Sequence, residues 1–233
     1  MNKERLDHVF KQKTWNEIKT KDSWQLFKIM SEFVNGFEKM SRIGPSVTIF
    51  GSARTSPDNN YYILATEIGK QLSENGYGVI TGGGPGIMEA GNKGAKLGGG
   101  SSVGLVIDLP FEATSNNYID EDKNICFDYF FVRKVMFLKY AQAFVVMPGG
   151  MGTLDELFEA LTLIQTKKMD KFPIILVGSN FWKGIMNWMK ETLVDEGMIS
   201  KEDLNLISIV DDPQEVLKII DNFYEDFMLK PNF

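Results

Sequence analysis

The stretch from Ala143 to Ala160, AFVVMPGGMGTLDELFEA, permits few folds. Phe144–Met147 is a short continuous apolar run of the kind that fills a parallel sheet covered on both faces. Pro148, Gly149, Gly150 and Gly152 then turn the chain. Leu154, Leu157, Phe158, Leu161 and Ile164 follow at three- and four-residue spacing, which is the stripe of an amphipathic helix. Strand, glycine turn and helix in that order present free backbone N–H groups to an anion beyond the strand's carboxyl end. The first helical turn adds Thr153, Asp155 and Glu156, and a plain phosphate turn has no use for the acids. Either Thr153 and Glu156 form a capping box on the helix's own N–H groups, or hydroxyl and carboxylate face a ligand above the glycines.

The same alternation runs along the chain. Strands are expected at Val47–Phe50, Gly78–Thr81, Val103–Ile107, Ile125–Phe131, Phe144–Met147, Pro173–Val177 and Ile207–Val210. Helices are expected at Tyr61–Glu74, Ile87–Leu97, Arg133–Ala141, Thr153–Lys167, Phe181–Glu196 and from Pro213 to about Leu229, the last capped by Asp212. The pattern predicts an α/β fold: a Rossmann-like three-layer sandwich with a mostly parallel sheet of about seven strands, occupying residues 45–233. Residues 1–44 read as an N-terminal helical extension ending at Gly44-Pro45. Its stripe of Trp24, Phe27, Met30, Phe33, Val34, Phe37 and Met40 suits packing on the domain or on a partner subunit.

Ligands of such sheets lie beyond the carboxyl ends of the strands, so the post-strand loops hold the candidates. The first offers Gly51, Ser52, Ala53 and Arg54, as a ligand loop or as an ordinary solvated turn. The second is Gly82-Gly83-Gly84-Pro85-Gly86, leading into Ile87-Met88-Glu89. Its glycines allow close backbone approach, to a ligand or only of helix to strand. It matches neither the dinucleotide fingerprint nor the P-loop. The third places Arg133 and Lys134 at an expected helix N-terminus, where cations oppose the macrodipole. That placement implies a bound anion or nearby carboxylate, or else a solvated pair on a frayed turn.

Composition removes several alternatives. With 25 basic and 31 acidic side chains the net charge is −6, which argues against general affinity for nucleic acid or anionic membrane. One cysteine, Cys126, and one histidine, His8, argue against a disulfide framework, a Ser-His-Asp triad and a histidine-rich metal centre. No apolar stretch has membrane-spanning length, and MNKERLDHVF lacks a signal-peptide core, so the expected location is cytoplasmic.

PGGMGTLDE resembles the PGGxGTxxE signature of the lonely-guy (LOG) family of nucleoside-monophosphate phosphoribohydrolases, once labelled lysine decarboxylases. FGSAR, TGGGPGIMEAGNKGA, LPFE and FVRKVMF precede it in family order, so the resemblance covers residues 45–212. It implies hydrolysis of the N-glycosidic bond of a nucleoside 5′-monophosphate, with Arg133 and Glu156 as the catalytic pair. Phosphate would rest on Gly149, Gly150, Gly152 and Thr153, aided by Ser52 and Lys134, and Glu112 and Thr162 would contact substrate. Loop position adds Arg54, Gly83, Gly84, Glu89 and Asp155 to the binding set. The resemblance implies no metal, no cofactor and a homodimer or larger ring. No site for a pyridoxal-bearing lysine is evident. A second reading keeps the fold without turnover, as a carrier of a nucleotide or of molybdenum cofactor. For the base, Met88, Met136 and Phe137 are either an apolar lining, as an N6-prenyl adenine would need, or core.

Overall fold

The computed structural model describes residues 15–109 and 115–233; His8 and Glu112 lie outside them. Helix α1 (Trp15–Met40) precedes seven strands, β1 (Ser46–Phe50), β2 (Gly78–Thr81), β3 (Ser102–Ile107), β4 (Asn124–Phe127), β5 (Ala141–Val146), β6 (Ile174–Val177) and β7 (Ile207–Val210). Between them run α2 (Asn60–Glu74), α3 (Ile87–Leu97), α4 (Phe130–Tyr140), α5 (Met151–Gln165) and α6 (Ser179–Trp188), and α7 (Pro213–Glu225) follows β7. The strands are ordered β4-β3-β2-β1-β5-β6-β7, and every neighbouring pair is parallel.

Every residue of β1, β2, β5 and β6 is buried, as apolar runs without alternation require of strands covered on both faces. One face is rich in phenylalanine. Phe50 meets Phe137 and Phe144 edge-on at 4.9 Å, and Phe144 meets Phe172 at 5.0 Å. Helices α1, α4, α5 and α6 cover that face. The other carries Val47, Ile49, Val79 and Val145 under α2, α3 and α7. Among the described residues no helix is long and apolar enough to cross a membrane.

Three boundaries differ from expectation. The strand expected to reach Phe131 ends at Phe127, and α4 starts at Phe130. The backbone N–H groups of Asp128 and Tyr129 donate to the Glu32 carboxylate of α1 at 2.8 and 3.3 Å instead of to a neighbouring strand. Arg133 and Lys134 are therefore the fourth and fifth residues of α4, one closing its first turn and the other just beyond it, where the dipole's opposition to cations fades. At its other end α4 passes into β5 with no residue between Tyr140 and Ala141. The long helix expected at Phe181–Glu196 is α6 followed by a π-helical turn, Met189–Val194.

The apolar stripe of α1 divides. Phe33 is half-buried and Met40 buried, and a Cβ on Gly36 would meet Met136 of α4 at 2.8 Å. Trp24, Phe27, Met30 and Val34 remain 67%, 61%, 53% and 66% exposed. Near Phe233 the chain returns to α4: Asn232 donates to the carbonyls of Leu138, Lys139 and Ala141 at 2.6–2.8 Å.

Helices α2 and α3 touch backbone to backbone. A Cβ on Gly94 would lie 2.8 Å from the Lys70 nitrogen and 3.0 Å from the Gly69 carbonyl carbon, atoms that cannot swing aside. Gly94→Ala should therefore cost roughly 1–3 kcal/mol despite alanine's better helix propensity. Urea unfolding that showed stabilisation would refute this account of the contact.

Candidate active site at the strand-order reversal

From β1 the chain builds outward to β4 on one side, and from β5 to β7 on the other. The loops after β1 and β5 therefore diverge, leaving a crevice at the carboxyl edge. A cleft of about 690 Å³ occupies it. Backbone bonds fix its floor. The Ser52 N–H donates to the Pro148 carbonyl and the Ile87 N–H to the Ser52 carbonyl, each at 3.0 Å. Ser52 Oγ accepts from the Arg54 N–H at 3.1 Å. One residue thus ties together the ends of β1 and β5 and the start of α3. Gly86 permits this through φ +67° and by lacking a Cβ, which would strike the Ser52 carbonyl.

Helix α5 enters the cleft through Gly150, Met151, Gly152, Thr153 and Glu156. Its N-cap is Gly150, which has no side chain to cap it. Thr153 and Glu156 are thus the third and sixth residues of the helix, which removes the capping-box reading: Glu156 stands too far along α5 to close it. The glycines divide by cause. A Cβ on Gly149 would strike Thr153, so packing excludes one. Gly150 (φ −95°) and Gly152 would place a Cβ in open space, with no positive φ to accommodate. Both line the cleft, so their small size keeps the helix N-terminus, with its outward N–H groups, accessible to an anion.

Helix α4 supplies Phe130, Arg133 and Phe137, at i, i+3 and i+7 on one face. The guanidinium of Arg133 lies over the rings of Phe130 and Phe137, at 4.9 and 5.7 Å from their centroids. A Cβ on Gly82 would lie 3.8 Å from its Nη1, placing the cation beneath the loop after β2. Met88, Ile107, Leu109 and Phe50 complete an apolar wall.

Glu156 is 5% exposed, and its Oε2 has no hydrogen-bond partner among the described residues. Burial pushes its carboxyl up to about 7, against the pull of Arg133 and then Lys134; Glu159 and Asp155 push it further up. A group titrating near neutrality inside a cleft is the usual state of a general base or acid. Burial alone would lower the Lys134 ammonium, but hydrogen bonds to Glu159 and Asp155 raise it. Those bonds, at 2.6 and 2.9 Å, join α4 to α5.

Of the residues singled out in the sequence, Ser52, Arg54, Arg133, Gly150, Gly152, Thr153 and Glu156 line the cleft. Lys134, Gly149 and Asp155 are not among the lining residues and make the contacts just given. Gly82 faces the cleft, whereas the Gly83 and Gly84 carbonyls accept from Asn116. Glu89 accepts from the Tyr62 hydroxyl at 2.7 Å, away from the cleft. Thr162 is exposed and donates to its own helix at Phe158. Met88 and Phe137 line the cleft; Met136 is core, packed toward α1. The sequence reading missed Phe130, Met151, Ile107 and Leu109. Phe130 had a usable signal in its helical spacing to Arg133 and Phe137, hidden by extending β4 to Phe131.

A family model described as "possible lysine decarboxylase" matches residues 88–220, more than half of the chain. The chain belongs to this family, the LOG family. Among LOG relatives, a Mycobacterium tuberculosis protein named cytokinin riboside 5′-monophosphate phosphoribohydrolase is 32% identical over 157 residues, covering 66% of this chain and 82% of its own. A rice protein of the same name is 27% identical over 194 residues, 82% of this chain and 78% of its own. The Chlamydomonas reinhardtii molybdenum cofactor carrier protein superposes with TM-score 0.56 at 24% identity, over 78% of this chain and 98% of its own. The molybdenum cofactor binding protein of Rippkaea orientalis gives TM-score 0.57 at 20% identity, over 77% and 96%. These last two likenesses concern the fold.

Because the folded pKa of Glu156 is raised, its protonated form contributes stability that is complete below the unfolded value of 4.5 and lost as pH rises through about 7. Glu156→Gln, which cannot ionise, should stabilise the protein by roughly 1–3 kcal/mol at pH 8 and by much less at pH 5. Thermal melts with equal shifts at both pH values would contradict the burial of an ionised carboxylate.

Proposed function

We propose that this chain hydrolyses the N-glycosidic bond of a nucleoside 5′-monophosphate, releasing the free base and ribose 5-phosphate. The observation that carries the reading is the Glu156 carboxylate: buried, titrating near neutrality, one oxygen unbonded, one turn along a helix whose open glycine end suits a phosphate. The names of the mycobacterial and rice relatives support it.

In this reading the phosphate sits at the α5 N-terminus on Gly150, Gly152 and Thr153, with Ser52 and Arg54 across the cleft. Binding energy from that remote group positions the reacting carbon. Loss of the base leaves positive charge on the ribosyl ring, as in glycoside hydrolysis. The departing base keeps the bond's electron pair and takes up a proton from solvent. The ionised Glu156 stabilises the ring's charge and accepts the proton of the attacking water, later returning it to solvent. Arg133 holds an anionic substrate group and lowers the Glu156 pKa toward working pH, while Lys134 and Asp155 brace the two helices and Gly149 makes room for Thr153. The apolar wall of Met88, Ile107, Leu109, Phe130 and Phe137 receives the base. AMP or an N6-substituted AMP, such as a cytokinin riboside monophosphate, suits a flat ring against that wall.

The carrier reading needs Glu156 as a helix cap. The observed N-cap, Gly150, removes that task. The homo-oligomer implied by family likeness has a surface in the exposed row of Trp24, Phe27, Met30 and Val34. Trp24→Glu with Val34→Glu should then reduce the subunit number seen by light scattering; an unchanged mass would take this row out of any interface.

End-point chromatography with AMP, other nucleoside monophosphates and N6-isopentenyl-AMP tests the reaction. Wild type should release base and ribose 5-phosphate, and Glu156→Gln should lose at least roughly 100-fold in kcat while still binding AMP. Near-full activity in that variant would remove Glu156 from the chemistry. Bound nucleotide with no release by wild type would favour the carrier.

A further inference from the structure

The packed face of α1 follows Ile29, Glu32, Phe33, Gly36 and Met40, a helical stripe at i, i+3, i+4, i+7 and i+11. Four of these bury apolar surface or allow close approach. Glu32 does neither, and a carboxylate set into a contact face needs partners. It finds them at 2.8 and 3.3 Å in the N–H groups of Asp128 and Tyr129, the two residues leading into α4. Helix α4 lacks any cap of its own: its N-cap, Tyr129, makes no side-chain bond, and its first turn has no acid. Glu32 thus supplies from a distant helix what a local Asp or Ser ordinarily provides, a negative group at the positive helix end.

What α4 carries gives this bond its consequence. Phe130 is its first residue and Arg133 its fourth; both line the cleft. The far end is independently fixed by Asn232 and by the direct passage into β5. Losing the near-end bond would loosen the turn that bears Phe130 and Arg133, leaving the rest of α4 in place.

We propose that Glu32 is a positioning residue for the cleft, through which α1 fixes the substrate-facing turn of α4. The proposal rests on the reading in which Phe130 and Arg133 face a nucleoside monophosphate.

The test uses the full chain with Glu32→Ala, Glu32→Gln and, as control, Glu38→Ala, whose carboxylate pairs with the exposed Arg42. Glu32→Ala should speed amide exchange at Asp128 and Tyr129 on the order of tenfold or more. It should raise KM and the calorimetric Kd for AMP on the order of tenfold. Glu32→Gln, which keeps an acceptor for one of the two N–H groups, should recover only part of that loss, and Glu38→Ala should match wild type. A merely less stable protein would lose kcat through fewer folded molecules while KM and Kd stayed put; that result overturns the proposal. So does unchanged amide exchange in Glu32→Ala. Should Glu32→Ala fail to fold, Glu32→Gln decides: intermediate Kd and exchange support positioning, wild-type values in both refute it. If wild type cleaves no nucleotide, the hydrolase reading fails, and AMP affinity with amide exchange still judges Glu32.

Discussion

The backbone of Ser52, bonded on one side to the turn after β5 and on the other to the start of α3, is the constraint on which the cleft depends. A parallel sheet that reverses its strand order must part its loops at the reversal. Left alone, the parted loops would be three independent segments with separate motions. Two main-chain hydrogen bonds join them instead, and glycines stand where side chains would hold the loops apart. The α5 N-terminus is therefore presented by an edge that is fixed before any ligand arrives, and the orientation cost of binding is reduced in advance.

Electrostatics then separates the three acids from the two cations, Arg133 and Lys134, that meet above this edge. Lys134 and Asp155 neutralise each other, with Glu159, in an ordinary bridge between helices. Arg133 and Glu156 are divided differently: the cation is flanked by rings, and the carboxylate is buried without a full set of donors. Desolvation outweighs the attraction of both cations, so Glu156 titrates near neutrality instead of staying ionised throughout. A carboxylate that served only structure would be expected to have its oxygens satisfied. The unsatisfied oxygen and the two unforced glycines, which line the same cleft, support the ligand site proposed above.

Much of this was legible in the sequence, because the fold speaks through period. Unbroken apolar runs such as Phe144–Met147 and Ile174–Val177 occur in few settings besides a doubly covered sheet, and the glycine turns locate their carboxyl ends. Of the residues on those turns, Ser52, Arg54, Gly150, Gly152, Thr153 and Glu156 line the cleft. Boundaries governed by distant partners were not legible. Asp128 and Tyr129 read as strand because nothing local reveals that Glu32, nearly a hundred positions earlier, holds their N–H groups. That one tertiary contact displaced α4 and hid Phe130. Likewise Gly83, Gly84 and Glu89 belong to a loop rich in functional signals, yet Asn116 and Tyr62 engage them for structural ends. Composition cannot distinguish a glycine that admits a ligand from one that admits a neighbouring helix.

The seamless joint between α4 and β5 has a consequence for how this chain can vary in length. From Phe130 to Val146 the polypeptide is helix and then strand, with no loop residue to absorb an insertion. One residue added within α4 would turn everything before it by about 100° about the helix axis, carrying Arg133 out of the cleft. One added within β5 would exchange its two faces, bringing Phe144 and Val145 into each other's layers. The spacing between Arg133 and the carboxyl end of β5 is thus held as by a ruler, and changes of length must be accommodated outside this stretch.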